Sequence, residues 1–177
     1  NIKYKILKQE FVHSNSVSAE VISFSYEDQT DFTASNDHNF DAESIVVFND
    51  NLLIFSKNRG DLKTNVYQIP KTTGNYSAIK VSTFNAEGFI TGATYNVGDD
   101  SFMLSGYSSS GTPFLLYVSN DRNSGNDLFN NGAVKIDLTP DIGPSQIEGI
   151  TFFNNERYYL SRGEVNVNGA NFPPKLY

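Results

Sequence analysis

The sequence predicts an all-β fold: a partial β-propeller of about three to four blades, each built from four antiparallel strands. Short apolar or alternating runs lie between turns rich in Gly, Asn, Asp and Pro, a pattern typical of strands. Helices are disfavoured, because no long window has apolar residues at helical spacing and because 21 Asn and 19 Ser residues favour turns. Three segments of the chain also resemble one another, which indicates a repeat.

The predicted strands follow one another along the whole chain, with the spacing of roughly 8–12 residues that is typical of sandwiches, barrels and propellers. Tight hairpin turns are expected at Asn49-Asp50-Asn51 and at Gly98-Asp99-Asp100, since Asn, Asp and Gly tolerate the backbone angles that such turns require. The strands are predicted near residues 2–7, 17–26, 44–48, 52–56, 65–69, 78–84, 89–95, 101–106, 113–118, 133–138, 147–153, 157–161 and 175–177.

The repeat consists of a buried strand, a tight polar turn and a second strand that ends in Ser. Glu43, Thr91 and Glu148 occupy the same place in the three copies, 48 and then 57 residues apart. A third strand follows each copy, and this spacing is close to the roughly 40–50 residues of a propeller blade. A β-sandwich, whose hairpins resemble one another by chance, is the alternative. The three copies span residues 41–56, 89–105 and 146–161.

The whole chain, residues 1–177, is predicted to form part of one propeller domain. A closed propeller needs more blades than this repeat provides. We therefore expect a fragment or a processed piece, which further blades or another chain complete. The units are the end of a preceding blade at 1–29, two blades at 40–84 and 89–138, and an incomplete blade at 146–177.

The composition excludes several classes of function. A net charge of −7 disfavours nucleic-acid binding, because a surface that contacts phosphates normally carries a basic patch. The absence of Cys excludes disulfides, a thiol nucleophile and thiolate-bound metals, and the two His residues leave little room for a zinc site. No run approaches the ~18 apolar residues of a transmembrane segment.

Several short motifs resemble those of known propellers. They are Tyr26-Glu27-Asp28-Gln29, Asp41-Ala42-Glu43-Ser44-Ile45, Phe55-Ser56-Lys57-Asn58, Ile90-Thr91-Gly92-Ala93, Gln146-Ile147-Glu148-Gly149-Ile150 and Tyr159-Leu160-Ser161. Through them the chain resembles a family of exported Bacteroidetes proteins with propeller-like repeats, which often carry a sorting signal for the type IX secretion system. The Glu-Gly-Ile hairpin is also loosely similar to phytase-like and lactonase-like propellers, some of which bind calcium, although Thr91 replaces the acid in the middle copy. The resemblance implies a propeller that is secreted or held at the cell surface.

A candidate site follows from propeller geometry, in which the first strand of each blade lines the channel. Residues at the start of the first strands and after the second strands then meet at one channel mouth. The first group is Asp41, Glu43, Thr91, Gln146 and Glu148. The second group is Lys57, Asn58, Arg59, Tyr107, Arg162 and Glu164.

Two chemistries suit these residues. Polar or charged ligands are expected to bind Glu43, Glu148, Lys57, Arg59, Tyr107, Arg162 and Glu164. Calcium is the expected ion, held by Asp41, Glu43 and Glu148, because a hard cation prefers carboxylate oxygens. The alternative is that the acids accept hydrogen bonds from backbone amides or pair with Lys57, Arg59 or Arg162 across blades, since an unpaired buried acid is costly.

Other candidate groups are weaker. The loop at 120–127 has oxygen-bearing side chains at alternate positions but lacks the final Glu of a calcium loop, so it is interpreted as a solvated turn. His13 and His38 lie in polar sequence and are expected at the surface. The aromatic residues in polar surroundings are expected either to contact a sugar or a protein or to cover blade edges; they are Tyr76, Tyr107, Phe129 and Phe172.

Three hypotheses about function follow. The first is a secreted or cell-surface module that binds a protein or a glycan. The second is a calcium-dependent hydrolase of a phosphoester, lactone or glycoside with its site at the channel mouth. The third is a structural component of a surface assembly. No catalytic residue is assigned, because the sequence contains no phosphate loop, dinucleotide fingerprint, zinc-peptidase helix or nucleophile elbow.

Overall fold

The computed structural model describes residues 2–7, 19–120, 127–154, 157–167 and 170–177. Over these residues the protein is all-β, with a single short helix, which confirms the predicted class. No helix in the described part of the chain is long and apolar enough to cross a membrane.

Six strands form the first sheet: β1 (Ile2–Leu7), β2 (Ala19–Tyr26), β3 (Asp41–Phe48), β4 (Asn51–Lys57), β5 (Thr64–Pro70) and β6 (Gly74–Phe84). Their spatial order is β1-β2-β6-β5-β4-β3. β3 to β6 are antiparallel neighbours, as short hairpin connections dictate. At the other edge, β2 pairs with β6 in parallel and β1 pairs with β2 in antiparallel fashion. The segment assigned by the sequence to the end of a preceding blade is therefore hydrogen-bonded to this sheet.

The remaining strands form two larger sheets and a small hairpin. The second sheet contains β7 (Phe89–Asn96), β8 (Ser101–Tyr107), β9 (Pro113–Ser119) and β10 (Val134–Asp137), in that spatial order and all antiparallel, and α1 (Thr139–Ile142) follows it. The last elements are β11 (Ile147–Asn154), β12 (Arg157–Arg162), β13 (Val165–Val167), β14 (Ala170–Phe172) and β15 (Lys175–Leu176). β11, β12 and β15 form the third sheet, and β13 pairs only with β14.

The core contains two apolar clusters, which lie on opposite faces of β4. Side chains alternate along a strand, so Leu53 and Phe55 face one cluster while Leu52 and Ile54 face the other. The first cluster fills the space between the first and second sheets and includes Phe102, which is fully buried. Burial on both faces explains why β4 is almost continuously apolar and not alternating.

The second cluster shows that the first sheet is curled. Ile22, Phe24 and Tyr26 of β2 pack against Tyr67 and Ile69 of β5, although β2 is hydrogen-bonded at the far side of β6. The sheet must therefore bend round on itself, as a half-barrel does, and β2 closes its concave side. The ring centroids of Tyr26 and Tyr67 are 4.4 Å apart within this cluster.

Every strand that the sequence predicted is present, with ends that differ by a few residues. The turns at Asn49 and Asp100 are also confirmed, and both residues have the positive φ expected there. The helix α1 and the hairpin of β13 and β14 were not predicted. A propeller is the finer interpretation of these sheets, and we take it up below.

Candidate functional site

The first strands of the three sheet units lie next to one another, with β7 between β3 and β11. The backbones of β7 and β11 are very close: a Cβ atom on Gly92 would lie 2.9 Å from the nitrogen of Ile150 and 3.0 Å from Cα of Gly149. Only glycine allows two backbones to approach in this way. Thr91 stabilises the contact between β7 and β11, because its hydroxyl donates a hydrogen bond to the carbonyl oxygen of Ile147.

Each of these three strands contains a β-bulge at the same place. In β3, Ala42 and Ser44 pair with consecutive residues of β4, so Glu43 is the extra residue. Thr91 is the extra residue in β7 and Glu148 in β11. A bulge redirects a side chain out of the regular alternation of a strand and is common beside functional sites. The equivalence of the three residues, inferred from the repeat, is therefore matched by the backbone.

The second strands correspond less simply than predicted. When positions in the second strands are counted from the bulge in the paired first strand, Ser105 of β8 and Ser161 of β12 are equivalent. Ser56 of β4 lies one residue further along its strand. The predicted common Ser is wrong for the first copy, because Ser is frequent in this chain and marks the register poorly. The same count makes Lys57 of β4 equivalent to Tyr107 of β8.

Three ion pairs join the acids at the start of β3 to the cations at and just after the end of β4. The Lys57 ammonium lies 3.3 Å from Oε1 of Glu43, and the Arg59 guanidinium lies 3.1 Å from Oδ2 of Asp41 and 4.0 Å from Glu43. Lys57 is only 5% exposed, so its charge depends on this partner. The predicted alternative of ion pairing is confirmed for Lys57 and Arg59, but within one sheet unit and not across units.

Glu148 joins this group from the third sheet. Although the residue is largely exposed, partial burial of its carboxyl group raises the pKa of Glu148, and the negative charge of Glu43 raises it further. The charges of Lys57 and Arg59 act in the opposite direction and lower it. Glu148 therefore lies near enough to Glu43, Lys57 and Arg59 for their charges to act on it. We call Asp41, Glu43, Lys57, Arg59 and Glu148 the bulge cluster.

The bulge cluster has one more carboxylate than it has cations. Asp41 and Glu43 each lie within ion-pair distance of a cation, whereas Glu148 has no Lys or Arg within 4.0 Å among the residues that the structure describes. Its side chain lies over Gly163, where an added Cβ would be 3.2 Å from Cγ of Glu148. Glu148 is therefore the acid of this cluster that is open to a new partner.

The other predicted site residues lie beside the cluster or apart from it. Tyr107 is 9% exposed and its ring centroid lies 5.6 Å from the Lys57 ammonium, so it contacts the cluster from inside the protein. Arg162 donates hydrogen bonds to the carbonyl oxygen of Pro173 and to Ser145 Oγ. Glu164 accepts a hydrogen bond from Asn171. No ion pair in the described part of the chain links Arg162 or Glu164 to the bulge cluster.

Calcium binding at Asp41, Glu43 and Glu148 stays a prediction. Within the described residues, no group of three or more His, Asp or Glu is arranged to hold a metal ion. Asp41 and Glu43 face Arg59 and Lys57, so a cation would first have to displace these side chains. The loop compared with a calcium loop lies mostly outside the described residues, at 121–126, as does His13.

The aromatic candidates have different environments. Phe129 is 6% exposed and stacks on Phe84 at 4.7 Å, so it packs in the core and is not available to contact a sugar or a protein. Tyr107 is also buried, and Tyr76 packs on the second cluster with its hydroxyl bonded to Thr72. Phe172, at 37%, is an exposed aromatic ring. The burial of Phe129 and Tyr107 could not be recognised from the sequence, because their neighbours in the sequence are polar.

Three further residues that the sequence singled out have defined surroundings in the structure: Asn58, His38 and Gln146. Asn58 is buried and its amide donates a hydrogen bond to Asp61, which shapes the turn after β4. His38 is exposed, as expected, and its Nδ1 accepts a hydrogen bond from the backbone of Phe40. Gln146 lies away from the ion pairs, in a cleft described next.

A cleft of about 410 Å³, which the sequence did not predict, lies between the second and third sheets. Three segments form it: the turn between β8 and β9, which follows Tyr107 in the sequence, the segment before β11, and the β13–β14 hairpin. We call it the serine cleft. The side chains that matter most here are those of Ser109, Ser110, Ser145, Gln146, Val165 and Phe172. The sequence signal is the run of serines after Tyr107, whose spacing matches no nucleophile elbow.

Comparisons with known proteins do not extend this description. No family model matches the chain, and no curated protein is significantly similar to it. The function must be argued from the site itself.

Proposed function

We propose that this protein is a secreted or cell-surface binding module of the β-propeller type, and that its bulge cluster binds a polar ligand carrying a cationic group. The observation that carries the proposal is the shared bulge at Glu43, Thr91 and Glu148. One irregularity repeated in three strands is costly to the sheet, and it delivers side chains to a common place. Export rests on the resemblance to Bacteroidetes propeller-like proteins.

The propeller interpretation is supported by the arrangement of the sheets. Three antiparallel units follow one another along the chain, and their first strands lie side by side. The third unit leaves Phe153 59% exposed and Leu176 67% exposed. In a propeller such side chains pack against the next blade, so we propose that further blades or another chain cover them. A sandwich remains the competing arrangement.

The choice of ligand follows from charge. Three carboxylates and two cations give the bulge cluster one excess negative charge, and this excess lies on Glu148. An ammonium group would compensate it, and would offset the partial burial that disfavours the ionised form of Glu148. Binding fits better than catalysis, because Asp41 and Glu43 are already held in ion pairs with Arg59 and Lys57.

The test compares glucosamine, which has an ammonium group, with N-acetylglucosamine, which is neutral but similar in shape. Binding is followed by NMR shifts of backbone amides as each sugar is titrated. Glucosamine should shift residues around Glu43 and Glu148 and bind at least fivefold more tightly than the neutral sugar. The Glu148→Gln variant should lose this preference, while Glu20→Gln, on a distant exposed strand position, should keep it. Equal binding of the two sugars by the parent protein would refute the proposal.

A calcium-dependent hydrolase is the second candidate, favoured by the three carboxylates at Asp41, Glu43 and Glu148. Thermal melting with calcium, with magnesium and with a chelator tests it. A rise in Tm with calcium alone, lost in the Glu43→Gln and Glu148→Gln variants, is the expected result. An unchanged Tm in the parent protein would eliminate this candidate.

A further inference from the structure

The serine cleft has the dimensions of a site for one small ring. Its volume of about 410 Å³ lies within the range of roughly 300–1,000 Å³ of ligand pockets. Its two sides are tied together, since the backbone nitrogen of Ser145 donates a 2.9 Å hydrogen bond to the carbonyl of Gly111. The cleft is thus a feature of the folded second and third sheets.

A buried cation lies directly behind the cleft. Arg162 is 9% exposed, and its guanidinium donates to the Pro173 carbonyl at 2.8 Å and to Ser145 Oγ at 3.3 Å. The rings of Phe172 and Tyr177 lie 6.0 Å and 5.8 Å from it. No carboxylate of the described residues lies within 4.0 Å of this guanidinium. Buried charges are normally paired, and the described residues supply no carboxylate counter-charge within 4.0 Å of this one.

Ser145 lines the cleft and is hydrogen-bonded to Arg162 behind it. Its hydroxyl oxygen accepts a hydrogen bond from the guanidinium, which leaves the hydroxyl hydrogen to be donated elsewhere. The positive charge behind this oxygen makes the hydroxyl a stronger donor. An anionic oxygen in the cleft would receive that hydrogen bond and also compensate the charge of Arg162.

The remaining lining suits a sugar ring. Phe172 and Val165 supply an apolar wall, and the Phe172 ring is 37% exposed. Ser109, Ser110 and Gln146 supply hydroxyl and amide groups. A sugar presents the same two features, an apolar face of C–H groups and a rim of hydroxyls, and aromatic rings commonly pack against such faces.

We propose that the serine cleft binds a carboxylated sugar residue, with its carboxylate at Ser145 in front of Arg162 and its ring against Phe172. This site is separate from the bulge cluster and has the opposite charge preference. It does not depend on the number of blades or on the ligand of Glu148.

The experiment measures binding of three probes to the full chain by saturation-transfer NMR and calorimetry: glucuronate, glucose and propionate. Glucuronate has both the ring and the carboxylate, and each of the others lacks one of them. We expect glucuronate to bind at least tenfold more tightly than either. Equal affinity for glucose would overturn the role of charge, equal affinity for propionate would overturn the sugar ring, and no binding of glucuronate would overturn the site.

Two variants test whether glucuronate binds in the serine cleft. Ser145→Ala removes the donor and Phe172→Ala removes the apolar wall, and each should weaken glucuronate binding at least fivefold. Phe172 is exposed enough for its substitution to leave the fold intact, which keeps the test valid if Ser145→Ala is unstable. Phe32→Ala is the matched control, since Phe32 is 72% exposed and does not line the cleft. Wild-type affinity in the Phe172→Ala variant would place glucuronate elsewhere and refute the proposal.

Discussion

Replacing Glu43 with Gln should destabilise the protein mainly through Lys57. The Glu43 carboxylate lies 3.3 Å from the Lys57 ammonium, and that lysine is 5% exposed. The amide that replaces the carboxylate would keep the size of the side chain but remove its charge. Lys57 would then be a buried cation without its nearest counter-charge, and water could reach it only slightly.

The expected size of the effect lies between two limits. Breaking a fully buried pair costs about 3–5 kcal/mol, and exposed pairs contribute about 0.2–1 kcal/mol. The Glu43 side chain is 26% exposed, and the charge of Glu148 still acts in the neighbourhood, so we expect about 2 kcal/mol. For a chain of this length that corresponds to a decrease in Tm of roughly 4–8 °C.

The assay is a double-mutant cycle in urea, followed by circular dichroism at neutral pH. Lys57→Met removes the ammonium but keeps the length of the side chain. The double variant should be more stable than the sum of the two single effects predicts, because it contains no unpaired charge. Asp50→Asn is the control: Asp50 pairs with Lys71 at 2.9 Å but its side chain is 96% exposed, and its loss should change stability by less than about 0.5 kcal/mol. If Glu43→Gln is no more harmful than Asp50→Asn, the argument from burial is wrong.

Three further predictions concern other contacts. Gly92→Ala places a methyl group 2.9 Å from the nitrogen of Ile150, and should lower the free energy of unfolding by about 1–3 kcal/mol in urea; an unchanged value would contradict the close approach of β7 and β11. Tyr67→Phe removes a hydroxyl that donates to Asp28 at 3.1 Å, and should cost about 1–2 kcal/mol by the same measurement, with Tyr159→Phe, on a partly exposed ring, as a comparison. Because the pKa of Glu148 is raised in the folded state, folding binds a proton between its ordinary and its raised pKa, so this residue lowers stability as pH rises from about 4 towards neutrality. Glu148→Gln should therefore be more stable than the parent at pH 7 and differ little at acidic pH, and a difference that is the same at all pH values would refute this.

The regular part of the fold could be predicted because each strand carries its own local signal. β4 has a continuous apolar run at 52–55 since both of its faces are buried, and the turn at Asn49 is specified by residues that accept a positive φ. The repeat also made Glu43 and Glu148 equivalent positions, but the bulges found there were not predicted.

What escaped prediction depends on contacts between distant residues. The hairpin of β13 and β14 has three-residue strands, which are too short to show an alternation. Phe129 lies in a polar stretch, and only its stacking on Phe84 reveals that it belongs to the core. The serine cleft is assembled from three separate connections, so no single stretch of sequence contains its pattern.

The candidate site was predicted only in part, because some of its contacts are local and others join residues that are distant in the sequence. Lys57 and Glu43 are neighbours across a hairpin, so their pairing follows from local register. The isolation of Arg162 from every described carboxylate depends on how the third sheet packs, and charge counts along the chain give no sign of it.

The parallel pairing of β2 with β6 also has a kinetic consequence. It joins Ile22 to Gly74, residues about fifty positions apart, whereas β3 to β6 associate through short connections. Closing the longer loop costs more entropy, so we infer that β2 docks after the other strands of its sheet have formed. Until then the edge of β6 is unpaired, and at high concentration during refolding it is free to accept β2 from a second molecule. Exchange of this strand between two copies is thus the misfolding route built into the curled sheet.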